Sequence, residues 1–162
     1  MNILIAYSTR SGTTAKCANL LAEKLGGATV AELKRDIPDP SKFDVVIVGG
    51  ALRTGNITGE TLEYLHRCEK LLLERPLGLF VCAGSEEQVE DVFKKNVPES
   101  LLEHARCRMS FGGELDAMRA RGFEKIIIKM ILKNAAKNGT EMRIYPERIE
   151  EFAKIMLDSS RA

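Results

Sequence analysis

Residues Asn2–Thr14 read NILIAYSTRSGTT, and this stretch decides how the rest of the chain is organised. Its first part, Asn2 to Tyr7, is a short apolar run without polar alternation, as expected of a strand buried on both faces of a parallel sheet. Five hydroxyl residues, Ser8, Thr9, Ser11, Thr13 and Thr14, then crowd around Gly12. Apolar residues resume at helical spacing at Cys17, Leu20, Leu21 and Leu25, predicting a helix from Thr13 to Leu25. A strand, a Gly/Ser/Thr loop and a helix in that order make an anion site. The helix N-terminus offers backbone N–H groups and the positive end of its dipole, hydroxyls add donors, and glycine permits the tight turn. One or two hydroxyls suffice for an ordinary N-cap; five around one glycine exceed that need. Neither GxGxxG nor GxxxxGK[ST] occurs at the loop, which argues against a Rossmann dinucleotide site and a P-loop NTPase.

Downstream, Gly26-Gly27 closes the first helix, and strand and helix signals keep alternating. Strands are predicted at Ala28 to Leu33, at Phe43 to Val48 (FDVVIV, ended by Gly49-Gly50), at Leu77 to Cys82 and at Arg106 to Phe111. Helices are predicted over Thr58 to Leu73, Glu86 to Lys95, a short piece from Pro98, Phe123 to Lys137, and a last one from Pro146 carrying Ile149, Phe152, Ala153 and Met156. The pattern predicts one α/β domain over residues 1–162, a parallel sheet doubly wound by right-handed crossovers, with an extra helical segment before the last helix. Ligands in such sheets bind beyond the carboxyl ends of the strands, so the loops after the first, third and fourth strands are the places for chemistry.

The bulk composition narrows the classes. Of 162 residues 44% are apolar and 29% charged, ordinary values for a water-soluble domain. A net charge of +1 gives no nucleic-acid footprint. The four cysteines, Cys17, Cys68, Cys82 and Cys107, show neither CxxC nor metal-ligand spacing and read as buried apolar residues in a reducing compartment, so no metal is expected. No basic region precedes the first apolar run, and no run approaches the ~20 apolar residues of a membrane span. A cytoplasmic protein is expected, with association at the inner membrane face left open.

The stretch Tyr7-Ser8-Thr9-Arg10-Ser11-Gly12-Thr13-Thr14 resembles the FMN phosphate-binding signature of flavodoxins, [ST]-x-[ST]-G-x-T. With VVIVGGALRTG from Val45 to Gly55, the run Leu77 to Gly84 and the arrangement from Phe123 through Phe152, nearly the whole chain is similar to one flavodoxin-domain branch. That branch includes menaquinone-dependent protoporphyrinogen oxidase. The resemblance implies a five-stranded flavodoxin-like sheet in the order 2-1-3-4-5 and FMN as cofactor. It implies that Ser8, Thr9, Arg10, Ser11, Gly12, Thr13 and Thr14 hold the phosphate. Carried over by position, Ala51, Leu52, Arg53, Thr54, Gly55 and Asn56, and Ala83, Gly84, Ser85 and Glu86, flank the isoalloxazine ring.

The chain departs from well-known flavodoxins in two respects. It has no tryptophan, and neither ring loop carries an aromatic residue, so Leu52 or Arg53 would cover the ring instead. A cation near the flavin N1–C2 edge would stabilise the reduced anionic ring and raise its potential; the plainer reading of Arg53 is a solvated arginine. Electron-carrier flavodoxins are markedly acidic, whereas this chain has no comparable long-range field.

Two functions compete once FMN is accepted: an oxidoreductase with a quinone- or porphyrinogen-like apolar substrate, and an electron-transfer module serving a redox partner protein. In the helix Phe123–Lys137, Phe123, Ile126, Ile127, Met130 and Ile131 share one face opposite Lys125, Lys129 and Lys133, with Ile128 and Leu132 towards the basic side. This helix either packs on the sheet or offers a face to a dimer partner, a membrane or an apolar substrate. No catalytic acid or base is assigned. His66 and His104 lack partners at ligand or triad spacing, no GxSxG elbow is present, and Glu86, Glu87, Glu90 and Asp91 read as a solvated helix face. A receiver domain would need acidic residues where Ser8, Thr9, Gly49 and Gly50 stand.

Overall fold

In the computed structural model, the continuous apolar runs become the centre of a sheet. The structure describes residues 1–83, 88–113 and 143–161, together with the helical positions 126, 127, 129, 130, 133 and 137. Strands β1 (Ile3–Tyr7), β2 (Thr29–Glu32), β3 (Val45–Arg53), β5 (Leu77–Cys82) and β6 (Cys107–Ser110) lie parallel in the order β2-β1-β3-β5-β6. Counting these five alone, this is the expected order 2-1-3-4-5. Beyond the five expected parallel strands, β4 (Asn56–Ile57) adds an antiparallel partner to the end of β3, pairing Leu52 with Ile57 and Arg53 with Asn56. Two residues are too short for a periodic signal.

Helices cover both faces. One face carries α2 (Gly59–Arg67), α3 (Glu69–Leu72), α4 (Val89–Asn96) and α5 (Glu99–His104), which pack with Leu4, Ala6, Val46, Val48, Leu79 and Val81. The other carries α1 (Thr13–Lys24) and α6 (Pro146–Arg161) over Ile3, Ile5, Val45, Ile47 and Phe80. Alternate residues of each strand thus serve opposite cores, which explains why the strands read as unbroken apolar runs. In the second core the Phe80 ring stacks on Phe111 at 4.6 Å, and Phe152 meets both edge-on.

Two expectations change. The helix expected over Thr58 to Leu73 divides at Cys68 into α2 and α3. Gly49-Gly50, read as the end of the third strand, lies inside β3 instead. A Cβ on Gly49 would lie 2.1 Å from the Phe80 ring, and one on Gly50 2.8 Å from Ile57. These glycines answer to close packing rather than to a turn.

After β6 the chain is clasped: Gly112 bridges Ile144 antiparallel, and Tyr145 N–H donates to the Phe111 carbonyl at 2.9 Å. Tyr145 lies under two guanidinium groups, those of Arg143 and Arg148, at 4.3 and 4.1 Å. Most of the expected helix Phe123–Lys137 lies outside the described residues. Of its described positions, Ile126, Ile127 and Met130, expected on the core face, are 56%, 47% and 61% exposed, together with Lys129, Lys133 and Lys137. A projection identifies an apolar face but not what that face meets.

Candidate functional site at the carboxyl ends of the strands

β1 ends at Tyr7, and the next five residues turn the chain into α1, which begins at Thr13. Gly12 occupies the N-cap in the left-handed region (φ 95°), where glycine carries no Cβ penalty, and supplies no side-chain cap of its own. The turn is held from within, Gly12 N–H donating to Thr9 Oγ1 at 3.0 Å, with Ser11 and Thr13 hydroxyls 3.4 Å apart. Arg10 and Ser11 are exposed; Thr9, Gly12 and Thr13 are half-buried; Ser8 and Thr14 are buried.

Thr14 is the informative residue. Its Oγ1 is buried and, among the described residues, is the one such side-chain oxygen or nitrogen without a hydrogen-bond partner. An unsatisfied buried hydroxyl costs free energy that native proteins rarely tolerate. The Cys82 thiol interacts with it, but thiols bond weakly. The neighbouring Cys17 thiol and burial hold Cys82 protonated, well above the ordinary thiol range, with the Thr14 hydroxyl pulling the other way. A helix start at a glycine N-cap with an orphaned hydroxyl behind it fits a phosphate, which supplies acceptors for both.

Ser8 faces the other way. Its N–H donates to the Gly49 carbonyl at 3.2 Å, and its hydroxyl contacts both Thr58 Oγ1 and Thr61 Oγ1. Thr61 Oγ1 donates to the same carbonyl at 2.9 Å. Thr58 stands at the N-cap of α2 yet caps nothing with its side chain. Neither threonine was singled out from sequence. The signal available was their T-x-x-T spacing at a helix start, one residue beyond the expected ring loop.

The expected ring loop Ala51–Asn56 is a hairpin rather than a loop. Ala51, Leu52 and Arg53 finish β3, Asn56 begins β4, and Thr54-Gly55 make the turn with φ 49° and 76°. Two positive φ values match the I′ turn, whose twist suits a hairpin. Ala51 and Leu52 are half-buried, and Arg53 to Asn56 are exposed. The hairpin is pinned from behind, Asn96 Oδ1 accepting from Ile57 N–H at 3.4 Å and the Ala51 carbonyl from Thr58 N–H at 3.0 Å. Among the described residues the Arg53 guanidinium has no hydrogen bond or ion pair. Ala83 is buried just beyond β5, while Gly84, Ser85, Glu86 and Glu87 lie outside the described residues. The structure thus brings the first loop and the hairpin to the carboxyl end of the sheet, on neighbouring central strands β1 and β3.

Other candidates have structural partners. His104 Nε2 lies 2.8 Å from the Arg75 carbonyl, and Glu90 pairs with Arg108 at 2.7 Å.

Comparison with known proteins agrees with this fold. A family model described as the flavodoxin domain matches residues 4–142. Protoporphyrinogen IX dehydrogenase [quinone] of Escherichia coli strain K12 is 28% identical over 145 residues, covering 82% of this chain and 80% of that protein. Among solved structures, a short-chain flavodoxin associated with a non-canonical PDU bacterial microcompartment superposes with a TM-score of 0.62 at 16% identity, covering 99% of each chain. A Fusobacterium nucleatum flavodoxin bound to flavin mononucleotide gives 0.58 at 12% identity, covering 98% of each.

Proposed function

We propose, starting from a chain that belongs to the flavodoxin-domain family, that this protein is an FMN-dependent oxidoreductase acting on an apolar, porphyrinogen-like donor and a quinone-like acceptor. The observation that carries the cofactor assignment is the orphaned hydroxyl of Thr14 behind the glycine N-cap of α1. FMN, when bound, supplies hydride and electron chemistry that no side chain here possesses. The protein's part is to bind and orient. Thr9, Arg10, Ser11, Gly12, Thr13 and Thr14 receive the phosphate. The hairpin Ala51–Asn56 and the segment Ala83–Ser85 border the ring. Arg53, exposed and without an ion pair among the described residues, supplies a cation that favours the reduced ring.

The enzyme reading draws on the similarity to the E. coli dehydrogenase and on the exposed apolar residues Ile126, Ile127 and Met130, which suit an apolar partner. The electron-carrier reading lacks its usual support, because the net charge is +1. Among the described residues no helix is long and apolar enough to cross a membrane, so contact with lipid or with a second copy would be through such a surface. Quenching of FMN fluorescence on titration with purified protein tests the cofactor; binding undiminished in Gly12→Asp would refute the phosphate loop. Anaerobic mixing with protoporphyrinogen IX and menadione tests the reaction. Porphyrin formation supports the enzyme, and none above background supports the carrier.

A further inference from the structure

The hydroxyls of Thr58, Ser8 and Thr61 form a buried line between the two halves of the site, and its direction can be deduced. Each hydroxyl has one hydrogen to give. The Gly49 carbonyl can only accept, so Thr61 spends its hydrogen there. In its contact with Ser8, Thr61 must therefore accept, and the single hydrogen of Ser8 goes to Thr61. Ser8 in turn accepts from Thr58. The order is fixed: Thr58 to Ser8 to Thr61 to the carbonyl in the middle of β3. Ser8 and Thr61 are each 2% exposed, so water does not compete with the contact between them; Thr58, at the end of the line, is half-buried.

We propose that Ser8 is a positioning residue that couples the phosphate loop to the β3–β4 hairpin. It is the first residue after β1 and immediately precedes the phosphate loop. Thr58 immediately follows β4, and its hydroxyl serves Ser8 instead of the α2 N-terminus. The hydrogen-bond line sets the separation of the two backbones, and with it the register between a phosphate on the loop and a ring at the hairpin. Ser8 itself keeps no donor for a ligand, since its N–H and its hydroxyl hydrogen are both used.

The proposal rests on the flavin reading, and its test separates the two. Affinities for FMN and for riboflavin, which lacks the phosphate, are measured by fluorescence quenching for wild type, Ser8→Ala, Thr58→Val and the double variant. Hydrogen exchange of the hairpin amides is followed in the apoproteins. Ser8→Ala is expected to weaken FMN about tenfold, as for a lost buried hydrogen bond, to weaken riboflavin less because it does not span the two ends, and to speed hairpin exchange. Thr58→Val, near-isosteric at a half-buried position, is expected to reproduce the loss alone and add nothing in the Ser8→Ala background. A loss of FMN affinity in Ser8→Ala that Thr58→Val does not reproduce would make Ser8 a phosphate ligand and overturn the proposal. Unchanged affinities with only a lowered melting temperature, or additive effects of the two substitutions, would overturn it as well. Wild-type protein that binds neither flavin would overturn the flavin reading and this proposal together.

Discussion

Thr14 shows how one atom can carry a functional argument. A buried hydroxyl without a partner destabilises the apoprotein and becomes useful only when an acceptor arrives. Thr14→Val keeps the shape and removes the hydroxyl, so two measurements should move in opposite directions. Apoprotein stability should rise by about 1 kcal/mol in denaturant melts, while FMN affinity falls about tenfold or more. A valine variant that loses stability without losing affinity would make the residue a core element. The thiols give a second prediction. All four cysteines are buried and free, and burial raises Cys68 above its usual range and Cys107 to about 11. Native protein should resist a thiol reagent at neutral pH and react only on unfolding. The sign with pH follows: between the ordinary thiol value of 9.0 and about 11 the unfolded Cys107 loses its proton while the folded one keeps it. Its contribution is whole below pH 9 and lost as pH rises towards 11, visible as a falling melting temperature.

At the level of elements, glycine is the residue whose meaning sequence left ambiguous. Gly26-Gly27 does end a helix, with both residues at positive φ and Gly27 N–H reaching back to the Ala22 carbonyl. Gly49-Gly50 looks the same on the page and marks the place where the Phe80 ring and Ile57 press on β3. Only tertiary packing distinguishes the two. Gly49→Ala should cost about 2–3 kcal/mol, because the Phe80 ring is already stacked on Phe111 and cannot retreat freely. The hairpin invites the opposite change. Thr54 is a β-branched residue at φ 49°, a strained position where I′ turns prefer asparagine. Thr54→Asn should stabilise the protein by about 0.5–1 kcal/mol in thermal melts, despite losing the 2.8 Å bond from Thr54 Oγ1 to the Arg53 carbonyl.

For the whole molecule, the sheet order and two-sided core were legible because five runs of apolar residues alternate with helical signals. The phosphate loop was legible because its hydroxyls cluster around one glycine. The hydroxyl line was not, since Ser8, Thr58 and Thr61 meet only after β1, β3 and α2 are packed. Nor was the hairpin, whose return strand is two residues long. FMN links these parts thermodynamically: at about 100 times its Kd it should add about 2.7 kcal/mol, raising the melting temperature by about 5–10 °C.

The clasp of Gly112 on Ile144 has a consequence for how such a chain tolerates change. Gly112 and Ile144 face each other across a single antiparallel bridge, about 5 Å apart. The bridge fixes where the chain enters α6, and a Cβ on Gly112 would lie 2.1 Å from the Arg143 carbonyl, so a side chain there would loosen the seat of α6 over the second core.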